Sequence, residues 1–213
     1  MPGISGRKAL IKVTGAPVAF TGEATVDTGD HQTYQMSTAT KRIWDRATPL
    51  VVDVGGTPTG ETYTFNRLTG TVRFATVNAG RGAVTLSGAY LPTAIAVGST
   101  GYSYSITKQA LVDTDLDSAF TNNGHNTYQP GMLDAEGSIN GRLTVDMTLR
   151  DLLLAGAPVV IECFIDRAAA ADLTMWALLD KDTLSAAMDA IQESVIAFKG
   201  TGDDQGVMVA VAA

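Results

Sequence analysis

The sequence contains one cysteine and two histidines among its 213 residues. A single thiol cannot form an internal disulfide, and Cys163 with His31 and His125 cannot supply a full Cys/His ligand set for zinc. Cys163 lies within the apolar stretch VVIECFID, which favours a small buried side chain over a reactive thiol. We therefore predict no metal site and no cofactor.

Runs of basic residues and long apolar runs are also missing. Acidic residues number 22 and basic residues 15, so the formal net charge is −7. Surfaces that bind nucleic acid tightly neutralise phosphates with Lys and Arg, and this composition argues against such a surface. The longest apolar run, Leu152 to Ile161, is interrupted by Gly156 and Pro158 and is too short to cross a membrane. With no apolar secretory segment at the N-terminus, we expect a soluble chain without a membrane partner.

Catalytic and ligand-binding motifs are equally scarce. The sequence has no G-x-S-x-G, H-E-x-x-H, phosphate-loop or G-x-G-x-x-G pattern. The DTDLD segment (Asp113, Asp115, Asp117) suggests calcium, but an EF-hand loop requires Gly at its sixth position and Glu at its twelfth. Here those positions hold Ser118 and Gly124. A solvated acidic loop explains the segment better, and we predict no catalytic residue and no enzymatic activity.

What the sequence does contain is alternation with a period of two. Tyr63 and Phe65 alternate with threonines, and Tyr102, Tyr104 and Ile106 alternate with Ser and Thr, each run being bounded by Gly- or Asn-rich turns. Short alternating runs with regular turns are typical of antiparallel β-structure, and we interpret the two tyrosines of the second run as core residues. The fold class predicted is mainly β, an antiparallel β-sandwich with one short flanking helix and an inserted hairpin region.

The second half of the chain is less regular. Residues 111–131 show no periodicity, which predicts a long irregular loop. Further strands are predicted at 133–139, over VVIECFID, and within residues 191–198. Leu149, Leu152 and Leu153 share one helical face before Gly156, which predicts a helix over 147–155. Residues 167–179 fit either a helix or a strand, and we favour a strand over 173–179. Trp44 and Trp176 are interpreted as anchors of a core or an interface.

Several of these stretches together resemble the tail tube, or major tail, proteins of long-tailed bacteriophages. The stretches are PVAFTGEATV, KRIWD, YTFNRLTGTVRF, VTLSGAY and DAIQESVIAFKGTG, and they cover most of the chain. The resemblance implies one tail-tube-like domain over 1–213, with a β-hairpin insertion at about 41–90. It implies a structural virion protein, made in the host cytoplasm and located in the phage tail.

The resemblance also implies partners and surfaces. Copies would join into homo-hexameric rings that stack into a tube, alongside other tail proteins such as the tape measure and terminator proteins, and DNA would pass through the lumen without specific binding. The net charge of −7 per chain adds the expectation that this lumen is negatively charged and repels the DNA phosphates. The acidic residues nominated as facing the lumen are Glu136, Glu162 and Glu193. The loop residues nominated for contact between rings are Asp113, Asp115, Asp117, Asn122, Asn123 and His125.

A second hypothesis remains open from the sequence. A non-enzymatic β-sandwich binding module of the virion, with a decoration role or a role in binding receptors or glycans, would share the same strand pattern. It would require a cluster of exposed aromatic residues beside polar side chains. Self-association around a hollow centre distinguishes the tube protein from such a module.

Overall fold

The structure is a computed structural model that describes residues 10–96, 99–112, 128–142, 148–185 and 193–211. Its described residues are mostly in β-strands, with one α-helix, α1 (Thr148–Ala155), and one short 3-10 turn, Ala39–Lys41. The strands are β1 (Leu10–Thr14), β2 (Val18–Asp27), β3 (Thr33–Met36), β4 (Val51–Val54), β5 (Thr57–Pro58), β6 (Tyr63–Asn66), β7 (Thr71–Phe74), β8 (Val84–Tyr90), β9 (Thr93–Ile95), β10 (Ser99–Val112), β11 (Tyr128–Arg142), β12 (Val159–Phe164), β13 (Leu173–Ser185), β14 (Glu193–Gly200) and β15 (Val209–Val211).

These strands form two sheets, and every strand pair described is antiparallel. The first sheet has the order β10-β11-β14-β13-β12-β1-β9, with β15 paired to β13. The second has the order β5-β4-β8-β2-β3-β7-β6. The mainly β, antiparallel fold class predicted from the sequence is confirmed.

The first sheet curls around a single apolar core. One core cluster draws on β1, next to one end of the sheet, and on β11, next to the other end, so the face that carries it must be concave. We call this face the core face and the opposite one the polar face. Helix α1 packs Leu149, Leu152 and Leu153 against the core face. The helix ends at Ala155, and the next residue, Gly156, has a φ of 62°, a left-handed conformation that suits glycine.

The second sheet has its own core and folds back on itself. Strand β2 is shared by its two halves and is interrupted by a register shift between Phe20 and Glu23. Gly22 has a φ of 63° at this point, which a residue with a Cβ adopts only at a cost. The two halves enclose a cluster that includes Trp44, Phe74 and Leu86. The hairpins of residues 41–90 are therefore part of a sheet that also includes β2 and β3.

A third cluster joins the two sheets. Val160 and Trp176, on the polar face of β12 and the first half of β13, pack against Ile43, Leu68 and Leu91. Both tryptophans are fully buried, which confirms that they anchor core and interface. The polar face of the first sheet is thus covered by the second sheet over part of its extent.

The sequence predictions of a helix and a strand agree with the observed elements, and the prediction of a long loop does not. The helix over 147–155 and the strand over 173–179 are confirmed, as α1 and as the first part of β13. The predicted loop over 111–131 is wrong at both ends, because β10 extends to Val112 and β11 begins at Tyr128. Cross-strand pairing, such as that of Leu111 with Gln129, supplies backbone hydrogen bonds even where the sequence does not alternate.

Candidate assembly edge and open sheet face

Strand β10 forms a long open edge of the first sheet. It has 14 residues and, in the part of the chain that the structure describes, it pairs only with β11. The edges of the second sheet are far shorter, with two residues in β5 and four in β6, and β5 contains Pro58. An unpaired edge presents a row of backbone donors and acceptors that can bind another strand, and proteins usually keep such edges short or interrupted. The other end of the first sheet, β9, has three residues and is short as well, so the β10 edge is the long one among the described strands.

Apolar side chains lie beside this edge on the core face. Tyr104 and Ile106 of β10 are each 39% exposed, and Leu133 of β11 is 46% exposed. The ring of Tyr104 stacks on that of Tyr102, with centroids 6.4 Å apart. Tyr102 packs against the core, as predicted, and burial is the main cause that raises its pKa to about 12. The prediction that Tyr104 is a core residue is wrong, because the core reaches β10 at Tyr102 and does not extend to Tyr104.

The polar face remains open over β10, β11, β14 and the second half of β13. Register gives rows of side chains that run across these strands, for example Ser105, Glu136, Lys199 and Leu178. The neighbouring row contains Ser103 and Ser138, whose hydroxyl oxygens are 3.0 Å apart. Hydroxyl and charged groups dominate, and no described element covers this part of the sheet.

The open part of the polar face carries charges of both signs, with an acidic excess among its described side chains. By register, its acidic residues are Asp134, Glu136 and Glu193, together with Asp180 at a β-bulge, and its basic residues are Lys181 and Lys199. Asp180 Oδ2 lies 3.6 Å from Lys199 Nζ. A shallow depression of about 460 Å³ is lined by Ser103, Ser105, Glu136, Asp180 and Lys199 among others.

The three nominated glutamates share the polar face but differ in their surroundings. Glu136 and Glu193 are exposed on its open part. Glu162 lies on β12, beside Lys12 and Thr174, toward the covered part. One of its carboxylate oxygens, Oε2, is buried and has no hydrogen-bond partner among the described atoms. The structure brings Glu136 and Glu193 to the same open surface and leaves Glu162 away from it.

The nominated loop residues lie outside the described residues. These are Asp113, Asp115, Asp117, Asn122, Asn123 and His125. The expectation that they contact another ring therefore stays a prediction.

Sequence reasoning did not identify two charged residues of the open face, Asp180 and Lys199. Asp180 and Lys199 meet because β13 has a bulge between Leu179 and Lys181, where one extra residue is inserted. The sequence carries no signal for this bulge, because Met175 to Leu179 are all apolar and show no alternation that it could interrupt. A bulge can be recognised only when the partner strand is known.

No ligand-binding chemistry emerges from the described residues. They contain no group of three or more His, Cys, Asp or Glu side chains placed to hold a metal ion. Cys163 is fully buried, which confirms the expected structural role, and burial raises the pKa of its thiol to about 12. Among the described residues, no helix has the length and apolar character needed to cross a membrane.

Comparisons with known proteins give a partial structural likeness. No protein-family model matches the chain, and no curated protein is similar to it. One solved structure is described as the tail of an empty gene transfer agent (GTA) particle with C6 symmetry, and it contains a chain that is 12% identical to this one. The match covers 57% of this chain and 87% of that chain, with a TM-score of 0.47. A chain from the virion of a native GTA particle is 13% identical to this one, and the match covers 57% of this chain and 89% of that chain with the same TM-score.

Proposed function

We propose that this chain is a structural subunit of a phage-type tail tube. Copies join edge to edge into rings, hexameric as the sequence resemblance implies, and the rings stack around a channel that conducts DNA. The observation that carries the proposal is the 14-residue open edge of β10, which lies beside a sheet face that no described element covers.

The edge supplies the contact between copies. Outward-facing N–H and C=O groups of β10 gain partners when a neighbouring copy adds a strand, each bond contributing roughly 1 kcal/mol net. Tyr104, Ile106 and Leu133 lose exposed apolar area in the same step, at about 25 cal/mol per Å². A head-to-tail contact of this kind closes into a ring when its rotation fits, and ring closure removes the free edges.

The open polar face supplies the channel wall. Its hydroxyl groups and mixed charges provide no continuous row of cations, so a passing phosphate chain finds no site that holds it. We propose that Glu136 and Glu193 face this channel. DNA then passes through the channel without specific binding. The expected protein partners within the virion are the tape measure and terminator proteins.

The second sheet is proposed to be an insertion that lies on the outside of the tube. Thr14 and Thr93 are register partners, and Gly15 N donates to the carbonyl of Pro92 at 2.8 Å, so the chain enters and leaves the second sheet at one point. The second sheet covers Val160 and Trp176, and the part of the first sheet that bears them cannot also face a channel.

The binding-module hypothesis gains less support from the same surfaces. Tyr102 and Tyr104 stack on the core face, whereas the alternate residues Ser103 and Ser105 project from the polar face. A glycan site needs aromatic and polar groups that converge on one ligand. These two sets point away from each other.

Electron microscopy of the purified protein tests the proposal. We expect rings or tubes for the wild type and monomers for Ile106→Glu, because a charge at the docking edge would be buried against the neighbour. Val77→Glu is the matched control, since Val77 is an exposed valine remote from the edge, and it should assemble like the wild type.

Circular dichroism of the Ile106→Glu protein establishes that the variant is folded. The proposal is wrong if the wild type stays monomeric at all concentrations. It is also wrong in its choice of edge if Ile106→Glu and Val77→Glu form equally regular tubes.

A further inference from the structure

Lys199 is an unfavourable residue for a wall that must release DNA. Its side chain is exposed, and it lies in the middle of the open polar face, on the central strand β14. A ring of copies would repeat this ammonium group around the channel. Because DNA binds proteins largely through phosphate contacts to Lys and Arg, such a ring would retain the DNA if it were left uncompensated.

The neighbours of Lys199 on both adjacent strands are acidic. Glu136 of β11 is its direct cross-strand partner, and such partners have Cβ atoms about 5 Å apart. On the other side, Asp180 Oδ2 of β13 lies 3.6 Å from Lys199 Nζ. The bulge between Leu179 and Lys181 inserts Asp180 as an additional residue at this point. The lysine is thus flanked by one carboxylate on each side.

From this arrangement we infer that Glu136 and Asp180 prevent Lys199 from binding the phosphates of passing DNA. The inference rests on the proposed function, because it assumes that the open polar face lines the channel. All three groups also border the shallow depression on that face. The bulge therefore has a functional role: it places a carboxylate where regular pairing would have left the lysine with one acidic neighbour.

The physical basis is charge compensation within the screening distance. At physiological ionic strength, interactions between exposed charges decay over about 8 Å. A phosphate that approaches Lys199 within this distance also interacts with both carboxylates, and the three groups sum to a negative charge. The exposed ion pair contributes little to folding stability, so its local charge is the property under test.

The experiment uses assembled tubes of the full chain and a short fluorescent DNA duplex as the probe. Tubes of the wild type, Glu136→Gln, Asp180→Asn and the double variant are sedimented with the duplex over a range of salt concentrations. We expect no retention by wild-type tubes and at least about tenfold more retained DNA for the double variant at low salt. For the double variant, the plot of the logarithm of the DNA-binding constant against the logarithm of the salt concentration should steepen by about 0.9 for each phosphate newly contacted.

Two controls make the result specific to Lys199. Adding Lys199→Gln to the double variant should restore wild-type release, because the exposed cation is then gone. Asp53→Asn removes one negative charge from the second sheet and should leave DNA retention unchanged.

The inference is overturned if double-variant tubes retain no more DNA than wild-type tubes, or if Lys199→Gln does not reverse the retention. A failure of the proposed function is recognised separately, because in that case no tubes form at all. Variants that assemble but differ in DNA retention thus report on the inference alone.

Discussion

The ion pair between Arg67 and Asp204 allows a quantitative test of how the two sheets are held together. Arg67 lies between β6 and β7 of the second sheet, and Asp204 lies between β14 and β15 of the first. The guanidinium donates to both carboxylate oxygens, at 2.9 and 3.1 Å, and to the carbonyl of Asp45 at 2.6 Å. It also lies over the ring of Phe65, 4.7 Å from the centroid.

The two partners differ in exposure, so the two substitutions should differ in cost. The side chain of Arg67 is 4% exposed and that of Asp204 is 46% exposed. Arg67→Met loses hydrogen bonds of a charged donor and the cation–π contact, for a total of about 3 kcal/mol. Asp204→Asn keeps an acceptor at a site that water reaches, and solvent screening reduces its cost to about 1 kcal/mol or less.

The same pair predicts a pH dependence. Hydrogen bonding and charge attraction from Arg67 lower the pKa of Asp204 below its ordinary value of 3.8. A carboxyl group with a depressed folded-state pKa stabilises the fold above the unfolded pKa, and this contribution is lost as the pH falls through the folded pKa. Wild-type protein should therefore lose more stability than Asp204→Asn when the pH is lowered from about 5 to about 3.

Urea unfolding measures both effects. Assembly is suppressed with Ile106→Glu in every sample, and intrinsic fluorescence reports on Trp44 in the second-sheet core and Trp176 at the junction. The reasoning is refuted if Asp204→Asn destabilises the protein as much as Arg67→Met, or if acidification affects wild type and Asp204→Asn equally.

Two further predictions concern packing and domain organisation. Gly137→Ala should destabilise the fold by about 1–3 kcal/mol in urea unfolding, because a Cβ there would overlap the Ser103 carbonyl oxygen and the ring of Phe198. Gly101→Ala, with nothing within 4 Å of the added Cβ, should be close to neutral. Equal effects of the two substitutions would contradict this packing. Residues 16–91 expressed alone should give well-dispersed amide NMR signals, because they enclose their own core. Poorly dispersed amide signals would show that folding of the second sheet depends on the first.

The sequence predicted the elements whose burial follows from their own residue pattern. In β12 the pattern of buried residues with a half-buried Glu162 follows from an apolar strand, and in α1 the spacing of the leucines sets the face that packs on the core. The extent of the second sheet was not predictable, because β2 pairs with β8 across a long stretch of chain. Tyr104 was misassigned for a related reason, since alternation identifies a face but does not indicate where the core beneath it ends.

The place of Asp180 on the open face could not be predicted from the sequence. Its position depends on a bulge that exists only relative to β14, and a one-residue shift in register moves a side chain to the opposite face. Glu136 could be placed on a strand from alternation alone, whereas its relation to Lys199 required the pairing of β11 with β14. Charges that act together across strands thus become apparent only when the register is known.

A single curled sheet separates the three surfaces that the proposed tube subunit requires. The β10 edge is unpaired in the described part of the chain, the polar face beside it is uncovered there, and the polar face of β12 is covered through Val160 and Trp176. Among the described residues the second sheet packs on the covered part, and it leaves both the edge and the open face accessible. Substitutions at Ile106, at Asp180 and at Arg67 should therefore alter assembly, DNA release and stability one at a time. If instead a change at any one of them altered all three properties together, the surfaces could not be separate.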